Sequence, residues 1–230
     1  EVDDAARAVT EIIRSKIIPA TLEFMDCTAM QCVEDYLEVG LPKKAGAMLL
    51  IEVDGDDDVV DKEIKQIDLL CNKCNTVQIL IAADDQEQRK LWTARRAISP
   101  ALGRLKPTKI NEDIVVPRTK VPSIIKRIRK IAEDLNLTII NFGHAGDGNI
   151  HVNIMTDKED KDEYERAEKA VKEIFSAVLD LEGTISGEHG VGLTKSPYIR
   201  MEIEPVALRK MQEIKKIFDP NNIMNPSKIF

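Results

Sequence analysis

Two short glycine-rich stretches hold the side chains of this sequence that are best suited to chemistry. The first runs from Asn141 to Asn153 (NFGHAGDGNIHVN), and the second runs from Ser186 to Gly192 (SGEHGVG). All three histidines of the chain fall here, as His144, His151 and His189, with Glu188 beside the last. Imidazole is a common metal ligand that titrates near neutral pH, and glycine lets the backbone approach a ligand closely. The two stretches therefore form the candidate site.

The pattern around His151 predicts the direction of its side chain. In a strand that begins near Asn149, alternate side chains share one face, so His151 and Asn153 point together towards a pocket. The opposite, core-facing set is Ile150, Val152 and Ile154. His144 ends the preceding strand, and the turn over 145–149 brings its imidazole back towards His151.

Glu188 supplies the third ligand of the predicted metal site. Two histidines, a carboxylate and open coordination positions describe a catalytic rather than a structural centre, and they suit zinc or manganese. Glu188 and His189 are neighbours, so in an extended loop one binds the ion while the other points away to a substrate. Asp147 is interpreted as a turn residue rather than as a ligand. In the alternative interpretation, the histidines are structural and are satisfied by the backbone of glycine turns.

Hydrophobic periodicity predicts the elements that position these residues. Strands are predicted over 21–25, 47–53, 77–82, 110–116, 138–142 and 149–155. Helices are predicted near the start, over 29–37, around 60–74, over 84–97, from 122, around 164–181 and over 205–218, with an irregular loop at 99–109. The order predicts an α+β fold in which two ferredoxin-like β-α-β halves form a mostly antiparallel sheet with helices on one face.

Composition excludes several classes of function. The 230 residues carry a net charge of −7, which argues against nucleic-acid binding. The sequence shows no apolar run long enough to span a bilayer. It also lacks both the dinucleotide and the phosphate-loop glycine patterns, so no nucleotide cradle is predicted within it. Helical periodicity begins almost at the first residue, which is typical of a piece of a longer protein.

The cysteines are Cys27, Cys32, Cys71 and Cys74. The last two form a C-x-x-C pair that could be redox-active or could join the other two around zinc. However, Cys71 and Cys74 continue the apolar helical stripe of Val60, Ile64 and Ile67, which favours core-facing thiols. Free thiols favour a reducing, cytoplasmic compartment.

Several motifs resemble the signatures of one family. They are the stretch 141–153 above, 183–192 (GTISGEHGVG), 218–226 (FDPNNIMNP), 109–117 (KINEDIVVP) and 91–95 (LWTAR). They resemble the FAD-linked 2-hydroxy-acid oxidases and dehydrogenases of the glycolate oxidase, D-lactate dehydrogenase and D-2-hydroxyglutarate dehydrogenase type, in the vanillyl-alcohol oxidase superfamily. The resemblance covers essentially all of residues 1–230, but only the C-terminal, substrate-binding half of that family. It therefore implies an FAD-binding domain N-terminal to these residues.

The resemblance implies roles for the residues of the two stretches. His144, His151 and Glu188 would hold a divalent metal ion, zinc or manganese. Asn153 and His189 would contact the substrate, and His189 would act as the general base that takes the proton of its hydroxyl group. The metal ion would lower the pKa of that hydroxyl, and hydride would pass to FAD.

The resemblance also extends to residues outside the two stretches. Arg95 would bind the substrate carboxylate, and Lys109 would contact the substrate, although Asn111 could align in its place. Two positions depart from the family pattern, because Glu182 and Ser227 stand where glycine is usual.

The function implied is oxidation of a D-2-hydroxy acid, such as glycolate or D-lactate, to the 2-oxo acid. The implied electron acceptor is an electron-transfer flavoprotein or an iron–sulfur subunit. The 230 residues alone are expected to fold but to be inactive without the FAD domain. Two alternatives stay open at this point: a metal-dependent hydrolase that uses the same site, and a ferredoxin-like binding module without chemistry.

Overall fold

One five-stranded antiparallel sheet organises the computed structural model, which describes residues 1–42 and 44–230. The strand order is β2-β1-β4-β5-β3. The strands are β1 (Thr21–Asp26), β2 (Ala47–Glu52), β3 (Thr108–Val115), β4 (Thr138–His144) and β5 (Asn149–Thr156). The predicted α+β class and the antiparallel sheet are confirmed.

Eight α-helices flank this sheet within the described residues. They are α1 (Val2–Arg14), α2 (Cys27–Leu37), α3 (Asp57–Asn72), α4 (Asp85–Leu102), α5 (Val121–Asp134), α6 (Lys161–Asp180), α7 (Ile199–Glu202) and α8 (Pro205–Phe218). Aspartates begin three of them: Asp26, Asp84 and Asp160 accept hydrogen bonds from the first-turn N–H groups of α2, α4 and α6. Among the residues described, no helix is both long and apolar enough to cross a bilayer.

Helices cover both faces of the sheet rather than the single face predicted. The apolar side chains of Ile150, Val152 and Ile154 enter one buried cluster with α5 and α6, as alternation predicted. Met155, on the other face of β5, packs in a second cluster with residues of α2 and α4. Every position of β5 is buried. A central strand has this pattern when both of its faces are covered.

The two halves of the chain contribute unequally to the sheet. In the second half, β3 and β4 both pair with β5, and α5 connects them, which makes a split β-α-β unit. The first half contributes only β1 and β2, because the strand predicted over 77–82 does not form. Val77, Leu80 and Ile81 are exposed there. An apolar run has strand-like composition, but a strand also needs a neighbour with which to pair.

Helix α4 runs further than its sequence predicted. It continues through Pro100 to Leu102, although 99–102 was expected to be irregular. Pro100 has no N–H to donate to the Arg96 carbonyl, which costs the helix one hydrogen bond. Ala101 and Leu102 beyond it are buried, so packing keeps this last turn helical. The prediction for α8 matches its observed bounds, Pro205–Phe218.

All four cysteines are free. Cys74 is buried, but Cys71 and the rest of its stripe are only partly buried, since α3 lies at the periphery and has no buried residue. Burial raises the pKa of Cys32 and of Cys71 to about 11, which suppresses the reactive thiolate at neutral pH. Within the described residues, the four do not meet as a metal site.

The two departures from the family's glycine pattern both adopt left-handed backbone. Glu182 and Ser227 each have φ 62°. Non-glycine residues rarely adopt this conformation, whereas glycine adopts it freely. The backbone at both positions therefore has the conformation that glycine adopts without steric cost.

Candidate metal centre

The hairpin of β4 and β5 brings the first two histidines together. His144 is the last residue of β4, and His151 lies in β5 opposite Phe142. Their rings are 5.6 Å apart between centroids. Asp147 accepts a hydrogen bond from the N–H of Asn149 at 3.0 Å, which confirms its role as a turn residue.

Glu188 reaches the two histidines from a separate loop. His144, His151 and Glu188 each offer a ligand atom within 4.8 Å of the others. In the part of the chain that the structure describes, no other group of three or more His, Cys, Asp or Glu residues is placed in this way. The Nε2 atom of His151 lies 3.6 Å from Oε1 of Glu188. The spacing suits three ligands of one divalent ion.

Burial favours the neutral, metal-binding form of His151. Loss of solvent lowers its pKa, and the neighbouring His144 and His189 lower it further, although the Asp113 and Glu188 carboxylates oppose this. The imidazole is therefore neutral at neutral pH, which is the form that binds a metal ion. A neutral buried imidazole, a second imidazole and a carboxylate fit a divalent cation in both number and chemistry.

Glu23, a buried residue of β1, holds the other histidine. Its Oε1 atom lies 2.8 Å from Nδ1 of His144, and its Oε2 atom accepts a hydrogen bond from Nε of Arg95 at 2.7 Å. A proton on Nδ1 of His144 leaves Nε2 for the ion, as is usual when a carboxylate backs a metal-binding histidine. The Arg95 guanidinium also lies 4.7 Å from the ring centroid of Phe142. The sequence-based reasoning missed Glu23, although it is the single charged residue between Leu22 and Met25.

Replacing Glu23 by glutamine is expected to weaken metal binding by about 10–100-fold, the usual scale for a residue that orients a ligand. Glutamine removes the negative charge shared by His144 and Arg95 and leaves that arginine without its ionic partner. Titration of the full-length protein with zinc or manganese measures the effect. Glu52→Gln, on the adjacent strand β2, is the matched control and should bind metal normally. Equal affinities in both variants would contradict the role of Glu23.

The loop that carries Glu188 and His189 is not extended. The Nε2 atom of His189 lies 3.9 Å from Oε1 of Glu188, and its ring stacks on His151 with the centroids 5.4 Å apart. The two side chains thus converge, and the prediction that they point to opposite sides is wrong. The backbone bends over 187–189, so the alternation of an extended chain does not apply. His189 is half-exposed, at the mouth of the site.

Asp113 is a buried carboxylate that the sequence-based reasoning also missed. It lies on β3 directly opposite His151 and is fully buried. Burial alone would raise its pKa, but hydrogen bonds from the His189 N–H and the Asn149 amide, with the nearby Lys195 ammonium, hold the pKa below its usual value. It is therefore ionised. Its place inside the strand predicted over 110–116, just before the apolar residues Ile114 and Val115, was the signal in the sequence.

A buried ion pair adjoins Asp113. Lys195 donates a hydrogen bond from Nζ to the Asp113 carbonyl at 2.8 Å and lies 3.8 Å from Oε2 of Glu112. Burial raises the pKa of Glu112 to about 7, with Asp113 raising it further and Lys195 opposing the shift. Burial also lowers the pKa of Lys195. Lys195 therefore ties its own segment to β3.

Residues 1–229 match the family described as FAD linked oxidases, C-terminal domain. The chain belongs to this family. It is 46% identical over 229 residues to glycolate oxidase subunit GlcD of Bacillus subtilis (strain 168), covering 100% of this chain and 49% of that protein. It is 32% identical over 227 residues to glycolate oxidase subunit GlcD of Escherichia coli (strain K12), covering 99% of this chain and 46% of that protein. It is 27% identical over 235 residues to D-lactate dehydrogenase of Anaerostipes hadrus, covering 99% and 50%.

This FAD-linked oxidase domain spans about half the length of the curated relatives it matches. Its fold is similar to that of 4-ethylphenol oxidase from Gulosibacter chungangensis in its isoeugenol complex, with a TM-score of 0.69 and 14% identity over 98% of this chain and 51% of the other. It is also similar to p-cresol methylhydroxylase with substrate bound, with a TM-score of 0.68 and 14% identity over 99% and 49%. At this identity, the likeness concerns the fold alone.

The structure places the predicted substrate-binding residues of this oxidase domain at different depths. Asn153 is fully buried, and its amide donates to the carbonyls of His151 and Ile140. Lys109 is exposed on β3, on the same face as Asp113 but four residues away, or about 13 Å along the strand. Asn111 lies nearer the site, opposite Asn153. The predicted substrate contacts of Asn153 and Lys109 stay predictions.

Proposed function

We propose that this domain is the substrate- and metal-binding half of a flavin-dependent enzyme that oxidises a D-2-hydroxy acid to the 2-oxo acid. The observation that carries the proposal is the convergence of His144, His151 and Glu188 within 4.8 Å, with His189 beside them. Relatives that carry the names glycolate oxidase subunit and D-lactate dehydrogenase support a small 2-hydroxy acid as the substrate class.

The metal ion would be held by His144, His151 and Glu188. A bound zinc or manganese ion supplies Lewis acidity that lowers the pKa of the substrate hydroxyl. His144 is oriented for this role by Glu23, and His151 is kept neutral by burial. The buried side of the site excludes bulk water and strengthens each of these polar interactions.

His189 is the proposed general base. Its Nε2 atom faces the Glu188 carboxylate, which places this atom towards the proposed ion site. Nε2 takes the proton of the substrate hydroxyl while the C–H bond of the carbon that bears this hydroxyl breaks. That carbon becomes the carbonyl carbon of the 2-oxo acid. FAD supplies the acceptor for the hydride.

Arg95 is the proposed anchor for the substrate carboxylate. Nε of Arg95 is committed to Glu23, and its two terminal nitrogens have no hydrogen-bond partner among the described residues. Both terminal NH₂ groups can therefore donate hydrogen bonds to a carboxylate. The Arg95 side chain is only 19% exposed, so its position is well defined by Glu23 and Phe142.

The test replaces Arg95 by lysine in the full-length flavoprotein and measures kinetics on D-lactate and glycolate with an artificial acceptor. Lysine keeps the charge but loses the two-point contact, so KM is expected to rise by about 10–100-fold, with a smaller change in kcat. Arg96→Lys is the matched control, since Arg96 stacks on Trp92 instead. Unchanged kinetics in Arg95→Lys would remove it from the site, and a wild-type enzyme inactive on all 2-hydroxy acids would refute the proposed function.

The flavin is proposed to be bound by an N-terminal half of the same protein, so residues 1–230 alone should be colourless and inactive. The length of the relatives supports this, and so do the exposed apolar side chains of α8 and the tail, including Ile217, Phe218 and Ile223. An electron-transfer flavoprotein or iron–sulfur subunit as acceptor, and a cytoplasmic location, stay predictions. The hydrolase and binding-module alternatives lose support because the chain belongs to a family of FAD-linked oxidases.

A further inference from the structure

We propose that Asp113 is the positioning residue that fixes the Glu188–His189 loop against the β4–β5 hairpin. The inference deepens the proposed function, on which it rests for the roles of Glu188 and His189. It concerns how a ligand and a base from a distant loop are brought to two histidines that already share a hairpin.

The Asp113 carboxylate holds the loop on both sides of Glu188. Its Oδ2 atom accepts hydrogen bonds from the N–H of Gly187 at 2.9 Å and from the N–H of His189 at 2.8 Å. The N–H of Gly187 also lies 3.2 Å from the Asp113 carbonyl oxygen. With the residues before and after it anchored to one carboxylate, Glu188 has a defined direction.

The same carboxylate is joined to the hairpin. Its Oδ1 atom accepts a hydrogen bond from the side-chain amide of Asn149 at 2.5 Å, and Asn149 is the first residue of β5. Asp113 also pairs directly with His151 in the sheet. One buried side chain therefore connects the loop, the hairpin and the strand that lies beside them.

Gly187 shows how closely the loop is packed on this carboxylate. A Cβ atom at Gly187 would overlap the Asn149 amide and would come within 2.7 Å of Oδ1 of Asp113. Lys195 makes a second attachment further along the chain, through its hydrogen bond to the Asp113 carbonyl. The segment 187–195 is thus held at both ends by a single position on β3.

An exchange of the two hydrogen-bonding side chains tests the inference in the full-length flavoprotein. In Asp113→Asn, the amide oxygen can still face the loop, but the amide NH₂ then opposes the NH₂ of Asn149. Adding Asn149→Asp restores a donor opposite an acceptor. Zinc and manganese affinity, and hydrogen exchange of the segment 186–195, are measured in the wild type, both single variants and the double variant.

Asp113→Asn is expected to lower metal affinity by about 10–100-fold and to speed exchange in the segment 186–195, and the double variant should recover most of both losses. Asp26→Asn is the matched control. Asp26 is also a buried carboxylate that accepts backbone N–H groups, but its partners are Ala29 and Asn141 and it is not one of the grouped metal ligands. Its variant should be less stable and should bind metal normally.

Two results would overturn the inference: normal affinity and exchange in Asp113→Asn, or a folded double variant as impaired as the single one. The second result would show that metal binding depends on the negative charge at position 113 rather than on how the loop is held. If the single variants do not fold, metal affinity and hydrogen exchange of the double variant are compared with those of the wild type. If the wild type binds no metal, the metal centre of the proposed function fails, and hydrogen exchange alone decides the role of Asp113.

Discussion

Replacing His189 by alanine in the full-length enzyme is expected to lower kcat by about 10²–10⁴-fold, the scale of a lost general base. The ring stacks on His151 and reaches the mouth of the site, but no backbone or side-chain hydrogen bond from its imidazole supports the described part of the fold. The variant should therefore keep its flavin spectrum and its metal content. Stopped-flow reduction of the flavin by D-lactate or glycolate measures the chemical step directly.

The matched control is Leu193→Ala, in the same segment, where the residue is 53% exposed. It should reduce its flavin at the wild-type rate. A His189→Ala variant that reduces its flavin at the wild-type rate would assign the base to another residue.

Removing a metal ligand is expected to produce the second large effect. His144→Ala and Glu188→Ala each delete one of three proposed ligands, so metal affinity should fall by more than about 100-fold, because even the residues that orient ligands carry about 10–100-fold. Elemental analysis should find about one divalent ion per wild-type chain and little in either variant. Activity should fall with the metal content.

Asp147→Asn provides the control for metal loss. Asp147 lies in the same hairpin, but its carboxylate accepts from the Asn149 backbone instead of facing the ligands. The control should retain its ion. Unchanged metal content in both His144→Ala and Glu188→Ala would eliminate the proposed centre, whatever the activity of the enzyme.

These two experiments distinguish the role of the metal ligands from the role of the general base. Loss of Glu188 should abolish metal binding and activity together, whereas loss of His189 should abolish activity alone. Glu188 and His189 are neighbours in one loop, and Asp113 anchors the backbone on both sides of Glu188. A general disturbance of the loop would affect both measurements in both variants, so a split result identifies distinct roles.

The sequence by itself determined the parts of the site that depend on short-range geometry. His144 and His151 lie on adjacent strands joined by a tight turn, and strand alternation placed His151 opposite the core set of Ile150, Val152 and Ile154. The bounds of α8 and the turn role of Asp147 were predicted for the same reason. Each depends on a local period or on a contact between near neighbours in the chain.

Only the tertiary structure decided which distant groups support those residues. Glu23 and Arg95 are 72 positions apart, and Asp113 and His189 are 76 apart, yet each pair shares a hydrogen bond at the site. Three further features also depend on distant parts of the chain. Residues 77–82 form no strand, helices cover both faces of the sheet, and a bend turns His189 towards Glu188. Local periodicity describes which face of an element is apolar, but the partner that covers the face is set by the packing of the whole chain.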